Sequence, residues 1–223
     1  FGQIATYLTL FWTTFAGLKV AQAGSIVGIA TMLAAFSALV FGTLSDNLYR
    51  YKIGRKFGRR HLLILLGVPL LIVTILMFVP GMPVWAYFVV YALWIITNQL
   101  IMTPYSLLPN EMTTDFNGRT MLSTTRMLFS GISTAVVPLG MAALLSALGD
   151  KKSSSYTISM GAFIVLFAIC VFIAYKSTWE LTPEEAGFDV EEIEKEQKEP
   201  FNFGKWLKGV GDIFVGYFST LRN

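Results

Sequence analysis

The chain has 223 residues, of which 54% are hydrophobic and only 14% charged, with 17 Lys and Arg against 14 Asp and Glu for a formal net charge of +3. An ordinary soluble domain carries roughly 25% charged residues, so composition alone all but excludes a soluble enzyme. The charges are also segregated: residues 1–18, 20–45, 62–110, 127–149 and 153–175 contain no Asp, Glu, Lys or Arg.

A membrane-spanning helix needs about 20 mostly apolar residues. The longest charge-free interval is broken by Pro80-Gly81-Met82-Pro83, a turn signal that splits it into two spans. Six transmembrane helices are therefore expected, each pairing its own backbone as a bilayer core demands. The alternating ten-residue strands of a membrane β-barrel are absent. In chain order the helices are expected at about 1–18, 21–45, 62–79, 84–108, 120–147 and 155–175. Phe1 stands inside the first apolar interval with no charged region before it, unlike a signal peptide, and Asn223 follows soon after a new apolar stretch has begun. Both ends read as cuts within a longer chain.

Loop charge gives an orientation. Between Asp46 and His61 lie Arg50, Lys52, Arg55, Lys56, Arg59 and Arg60 against a single acid, which places this loop in the cytoplasm by the positive-inside rule. By parity the 109–119 loop and everything after 176 are cytoplasmic, and the membrane is expected to be the plasma (inner) membrane.

The expected domains are a six-helix bundle over 1–175, an acidic cytoplasmic linker over 176–204, and a final segment over 205–223. In the linker, Thr182-Pro183-Glu184-Glu185 carries the cap, first-turn proline and third-position glutamate that open a helix. The final segment repeats apolar residues from Trp206 to Leu221 at steps of three and four, with Lys205, Lys208 and Asp212 between them. It reads as an amphipathic interfacial helix or the start of a seventh span. The small residues of the second and fifth helices, among them Gly24, Gly28, Gly131 and Gly140, suit close helix packing, or sliding against partners.

Cys170 stands alone in an apolar span, and one Cys with one His makes neither a disulfide framework nor a zinc site. His61 reads as a solvated or headgroup-facing residue, with pH sensing the alternative for a lone imidazole. No nucleophile, base and orienting acid form a triad, and nothing points to nucleic acid.

Two motifs stand out. Gly42-Thr43-Leu44-Ser45-Asp46 followed by Gly58-Arg59-Arg60 resembles the signature between helices 2 and 3 of the major facilitator superfamily, with a longer insert. Pro104-Tyr105-Ser106-Leu107-Leu108-Pro109-Asn110-Glu111-Met112-Thr113, then Asp115-Phe116-Asn117-Gly118-Arg119-Thr120, then Arg126, is similar to the helix 4 to helix 5 region of the glycoside, pentoside and hexuronide cation symporters, the melibiose permease relatives. The resemblance implies an all-α membrane protein, the chain being the N-terminal six-helix half of a twelve-helix major facilitator fold whose C-terminal half is its partner. It implies a secondary transporter working by alternating access on a sugar, glycoside or related small polar solute. A cytoplasmic gate would comprise Asp46, Arg59, Arg60, Asp115 and Arg119, with Arg119 pairing Asp115 or Glu111. Two family carboxylates tied to sodium are replaced here by Ala38 and Met102. The coupling cation therefore stays open between proton, sodium and none, and no other cofactor is expected.

The binding residues are argued physically as well. An arginine near the centre of a membrane helix costs roughly 2.5–3.5 kcal/mol on insertion scales, so Arg126 faces protein or water, or snorkels to the surface. Trp94, Asn98 and Tyr105, with Thr103 beside them, line one face of helix 4, and Gln3 and Tyr7 one face of helix 1. Aromatic platforms with amides and hydroxyls suit a sugar, although such amides also serve as glue between helices. The alternatives are a lysolipid-type carrier and a non-transporting membrane scaffold, the latter with Asn98, Gln99 and Arg126 all paired between helices.

Overall fold

The computed structural model describes residues 2–48, 57–149 and 151–182, together with positions 54, 184, 185 and 204. The charge-free intervals become six helices: α1 (Gly2–Thr14), α2 (Val20–Asn47), α3 (Arg59–Val73, drawn out by a 3-10 turn over Thr74–Phe78), α4 (Val84–Glu111), α5 (Phe116–Leu148) and α6 (Ser153–Ser177). Five of these, α2 to α6, are long and apolar enough to cross a membrane. The final 205–223 segment and most of the 176–204 linker lie outside the described residues.

The helix ends depart from expectation for physical reasons. Helix α1 closes at Thr14 rather than near residue 18, because Gly17 at φ +73° reverses the chain and the Leu18 amide returns to the Trp12 carbonyl at 3.0 Å. As described it has 13 residues, about 20 Å of rise against a hydrocarbon core of about 30 Å. Helix α3 starts at Arg59, inside the basic loop, and α4 runs through Pro104 and Pro109 to Glu111.

Helix α4 is the central element. It packs along α2 and α3 and also touches α5, while α6 closes the far side against α3. One stripe of α4 is buried: Tyr87, Tyr91, Trp94, Thr97, Ile101, Pro104 and Leu108. At the end away from the basic loop an aromatic core gathers Phe11, Trp12, Phe78, Tyr87, Tyr91, Trp94 and Tyr156. Trp12 meets Tyr91 edge-on at 5.5 Å and donates from Nε1 to the Met77 carbonyl at 3.2 Å. Aromatic pairs of this kind add about 0.5–1.5 kcal/mol each beyond buried area. That matters in lipid, where apolar burial alone gives helices little reason to associate. Thr157 Oγ1 donates to the Phe78 carbonyl, and Ser155 Oγ to Leu148, pinning the start of α6.

A second apolar cluster, Ile64, Leu71, Ile101, Leu108, Ile164, Ala168 and Val171, joins α3, α4 and α6 nearer the basic end. Helix α5 is different, burying only Met141 and Leu145 along its 33 residues. The expected small-residue packing holds at Gly140, where an added Cβ would lie 3.2 Å from Phe163. At Gly24, Gly28 and Gly131 nothing among the described residues lies within 4 Å of such a Cβ.

Gly67 tests the close approach of α3 and α4. A Cβ there would sit 2.3 Å from Ile101 Cγ1. In a free helix Gly→Ala stabilises by about 1 kcal/mol, whereas overpacking costs about 1–3 kcal/mol. Gly67→Ala is therefore expected to lower the thermal unfolding midpoint in detergent, and Ile101→Ala in the same chain to recover part of the loss.

Candidate functional site

The site is built from helix ends. The N-terminus of α3 has unpaired amides and the positive end of the helix dipole, and the sequence adds two buried guanidinium groups there, Arg59 and Arg60. Opposing them is Glu111 in the last turn of α4. Arg59 Nη2 pairs with Glu111 Oε1, Arg59 Nε donates to Oε2 at 3.2 Å, and Arg60 Nη2 lies 2.7 Å from Oε1. Arg60 also donates from Nη1 to Ser45 Oγ at 3.3 Å, which brings in the end of α2.

A second carboxylate arrives from beyond α6. Glu180 accepts from the backbone amides of Arg59 at 3.0 Å and of Arg60 and His61, both at 2.8 Å, and from His61 Nδ1 at 2.9 Å. It caps the whole first turn of α3. Gly58 makes room for it: a Cβ there would lie 2.9 Å from Glu180 Oε1, and the residue holds φ +84°.

His61 is not a solvated or headgroup-facing residue. It is buried, wedged between Glu180 and Thr178, with Tyr175 edge-on at 5.7 Å. Its Nε2 lies 2.8 Å from Thr178 Oγ1, which itself donates to the Ala174 carbonyl at 2.6 Å.

The other expected gate residues sit close by with different partners. Asp115 is the N-cap of α5, accepting from the Gly118 amide at 2.7 Å. Arg119 donates from Nε to the Thr113 carbonyl at 2.8 Å, tying the start of α5 to the preceding turn. Glu111 serves Arg59 and Arg60. Asp46 lies in α2, but its side chain is outside the described residues.

Of the expected binding residues, Arg126 and Tyr105 are brought together. Arg126, part-buried on α5, donates from Nη1 to the Ser106 carbonyl of α4 at 2.9 Å, its guanidinium 6.0 Å from the centre of the Tyr105 ring. Asn98 and Thr103 are half-buried on the same helix. Trp94 belongs instead to the core, stacked on Tyr91 at 5.4 Å. It lies within the buried stripe of α4, and packing claims it. Tyr7 packs against the same aromatic core, and the side chain of Gln3 lies outside the described residues. Gln99 acts as glue, donating to the Ala34 carbonyl of α2 at 3.0 Å.

Sequence reasoning missed Glu180, the most heavily bonded carboxylate of the site. Its only signal was being the first acid after α6; the pairing spans 119 to 121 residues, which no local pattern encodes.

Comparison with known proteins adds one deciding observation: the model of the MFS/sugar transport protein family matches residues 3–213. The chain belongs to this family. The MFS/sugar transport family includes the melibiose permease relatives, in line with the motifs at 42–60 and 104–126. The chain is 29% identical over 185 residues to the uncharacterized symporter YjmB of Bacillus subtilis and 28% identical over 191 residues to the uncharacterized symporter YnaJ of the same organism. These matches cover 80% and 81% of the chain but 39% and 40% of the relatives, so the chain is about half the length of the proteins it matches. No solved structure matches.

Two predictions follow from the paired carboxylates. Removing one partner of a buried ion pair costs about 3–5 kcal/mol because the remaining charge is stranded. Glu111→Ala leaves two such charges and is expected to lower the unfolding midpoint in detergent far more than Asp115→Ala, which removes only a cap of about 1 kcal/mol. Burial pushes the Glu180 carboxyl up, but the bonds from the His61 ring and from the His61 and Arg60 amides outweigh it and hold the group below its ordinary value of 4.5. Its contribution to stability is therefore present above pH 4.5 and lost as pH falls through the lowered value. Glu180→Gln is expected to flatten this acid-side fall in thermal unfolding measured from about pH 6 downward.

Proposed function

We propose that the chain is the N-terminal six-helix half of a secondary transporter that moves a sugar, glycoside or related small polar solute by alternating access, with a C-terminal six-helix half as its partner. Three facts support this: the family match, the symporter names of the relatives, and a chain length about half of theirs. The exposed apolar faces of α2 and α5, with Ile29, Met32 and Phe36 on one and Leu128, Phe129 and Ile132 on the other, suit cover by lipid and by the second half. The basic end is cytoplasmic in this reading, by the positive-inside rule.

The observation that carries the solute reading is the Arg126–Tyr105 pair. A guanidinium has five N–H donors in a rigid fork, and among the described residues Arg126 bonds only the Ser106 carbonyl. The rest of the fork and the Tyr105 ring and hydroxyl make a set of donors beside an aromatic plane, of the kind that suits a sugar, with Asn98 on the same face of α4 two turns away. In this reading Arg59, Arg60 and Glu111 are the centre of a cytoplasmic gate at the helix ends, to which Asp46, Asp115 and Arg119 also belong, and whose charges re-pair when the halves rock. The coupling ion is proton or sodium, or transport is uncoupled.

One observation favours a lipid-like solute instead. An open apolar groove of about 750 Å³ lies between the far ends of α2 and α4, lined by Ile26, Ile29, Val84, Trp85 and Phe88 among others. None of the expected binding residues lines it.

Uptake by the full-length protein in proteoliposomes, across a panel of glycosides and a lysolipid, with sodium and proton gradients imposed separately, decides between them. Saturable glycoside uptake is expected, abolished in Arg126→Ala and partly kept in Arg126→Lys, with expression unchanged. Absence of saturable uptake for every sugar would refute the leading reading, and lysolipid uptake would replace it with the second.

A further inference from the structure

After α6 ends at Ser177, residues 178–182 leave the helix and lie across the ends of two others. The Thr178 amide still donates back to Ala174 in α6 at 3.1 Å. The next three residues reach outward. Trp179 donates from Nε1 to the Met112 carbonyl at 3.1 Å, Glu180 receives the first amides of α3, and the Leu181 amide donates to the Glu111 carbonyl at 3.0 Å.

The polarity of these contacts is matched at both ends. A helix N-terminus offers unpaired N–H groups and partial positive charge, and it receives a carboxylate. A helix C-terminus offers unpaired carbonyls, and that of α4 receives two N–H donors. Glu111 joins the two contacts: its side chain holds Arg59 and Arg60 while its carbonyl receives Leu181. A segment serving merely to leave the bundle needs none of this complementarity.

We propose that residues 178–182 act as a strap that joins the ends of α3, α4 and α6 into one cooperative unit, with Glu180 as its anchoring residue. Gly58 is the residue that admits the anchor, since any side chain there would intrude on the Glu180 carboxylate. The acidic segment that follows the strap is thereby mechanically connected to three helices rather than to α6 alone. This inference is independent of the solute.

Hydrogen exchange on the full-length protein in detergent, read by mass spectrometry, tests it. In Glu180→Ala the amides of residues 59–62, 108–112 and 174–181 are expected to exchange faster together, by about tenfold. Glu180→Gln, which keeps an acceptor oxygen but not the charge, gives a smaller rise over the same three regions. A rise confined to 59–62 overturns the strap, reducing Glu180 to a local helix cap, and no rise at all overturns its role altogether. Should Glu180→Ala fail to fold, Trp179→Phe keeps an aromatic ring and removes the N–H donor to Met112. Faster exchange at 59–62 in that variant supports the strap, and exchange unchanged there overturns it. No step relies on uptake, so failure of the transport reading would show separately.

Discussion

Two guanidinium groups buried at the positive end of a helix dipole repel that dipole and each other, and in low dielectric the repulsion is severe. The arrangement persists here because two carboxylates meet it from different directions. Glu111 takes the side chains of Arg59 and Arg60, and Glu180 takes the backbone amides beneath them. Each acid is committed to a separate set of donors, so neither can substitute for the other. Four helix ends are drawn in by this neutralisation: α3 supplies the cations, α4 supplies Glu111, the residues after α6 supply Glu180, and α2 supplies Ser45. Much of the geometry of the basic end follows from balancing those charges.

That balance also explains how legible the fold was. The helices could be read because a bilayer excludes charge from long intervals, and those intervals are visible one residue at a time. Their ends were harder. A cluster of arginines next to a span reads as loop, yet α3 begins at Arg59 because a carboxylate 121 residues away caps its first turn. His61 reads as a surface residue for the same reason, and it is buried beneath the strap and against Tyr175 of α6. At α1 the missed signal was local: Gly17 with positive φ ends the helix where apolar composition would have continued it.

The candidate binding residues show a different limit. Trp94 and Asn98 are four residues apart, about 40° around a helix, so a pattern read from sequence places them on one face. Packing divides that face. Trp94 falls on the side of Tyr87 and Tyr91 and is absorbed into the aromatic core, while Asn98 stays half-buried. Arg126 was legible by its cost in an apolar helix and Tyr105 as part of the polar and aromatic face of helix 4, but nothing in the sequence paired them; the structure sets one over the other.

The two ends of the bundle thus differ in how they are held. The far end rests on aromatic contacts and the Trp12 bond to Met77, which involve no charge and have little freedom to re-pair. The basic end rests on buried ion pairs and caps, each of which strands a charge or an amide if its partner is lost. The charged contacts among Arg59, Arg60, Glu111 and Glu180 tie the ends of α3, α4 and α6 to one another, so disturbing one of these bonds is felt by all three helices, whereas the aromatic core is held by packing that is local to its own end.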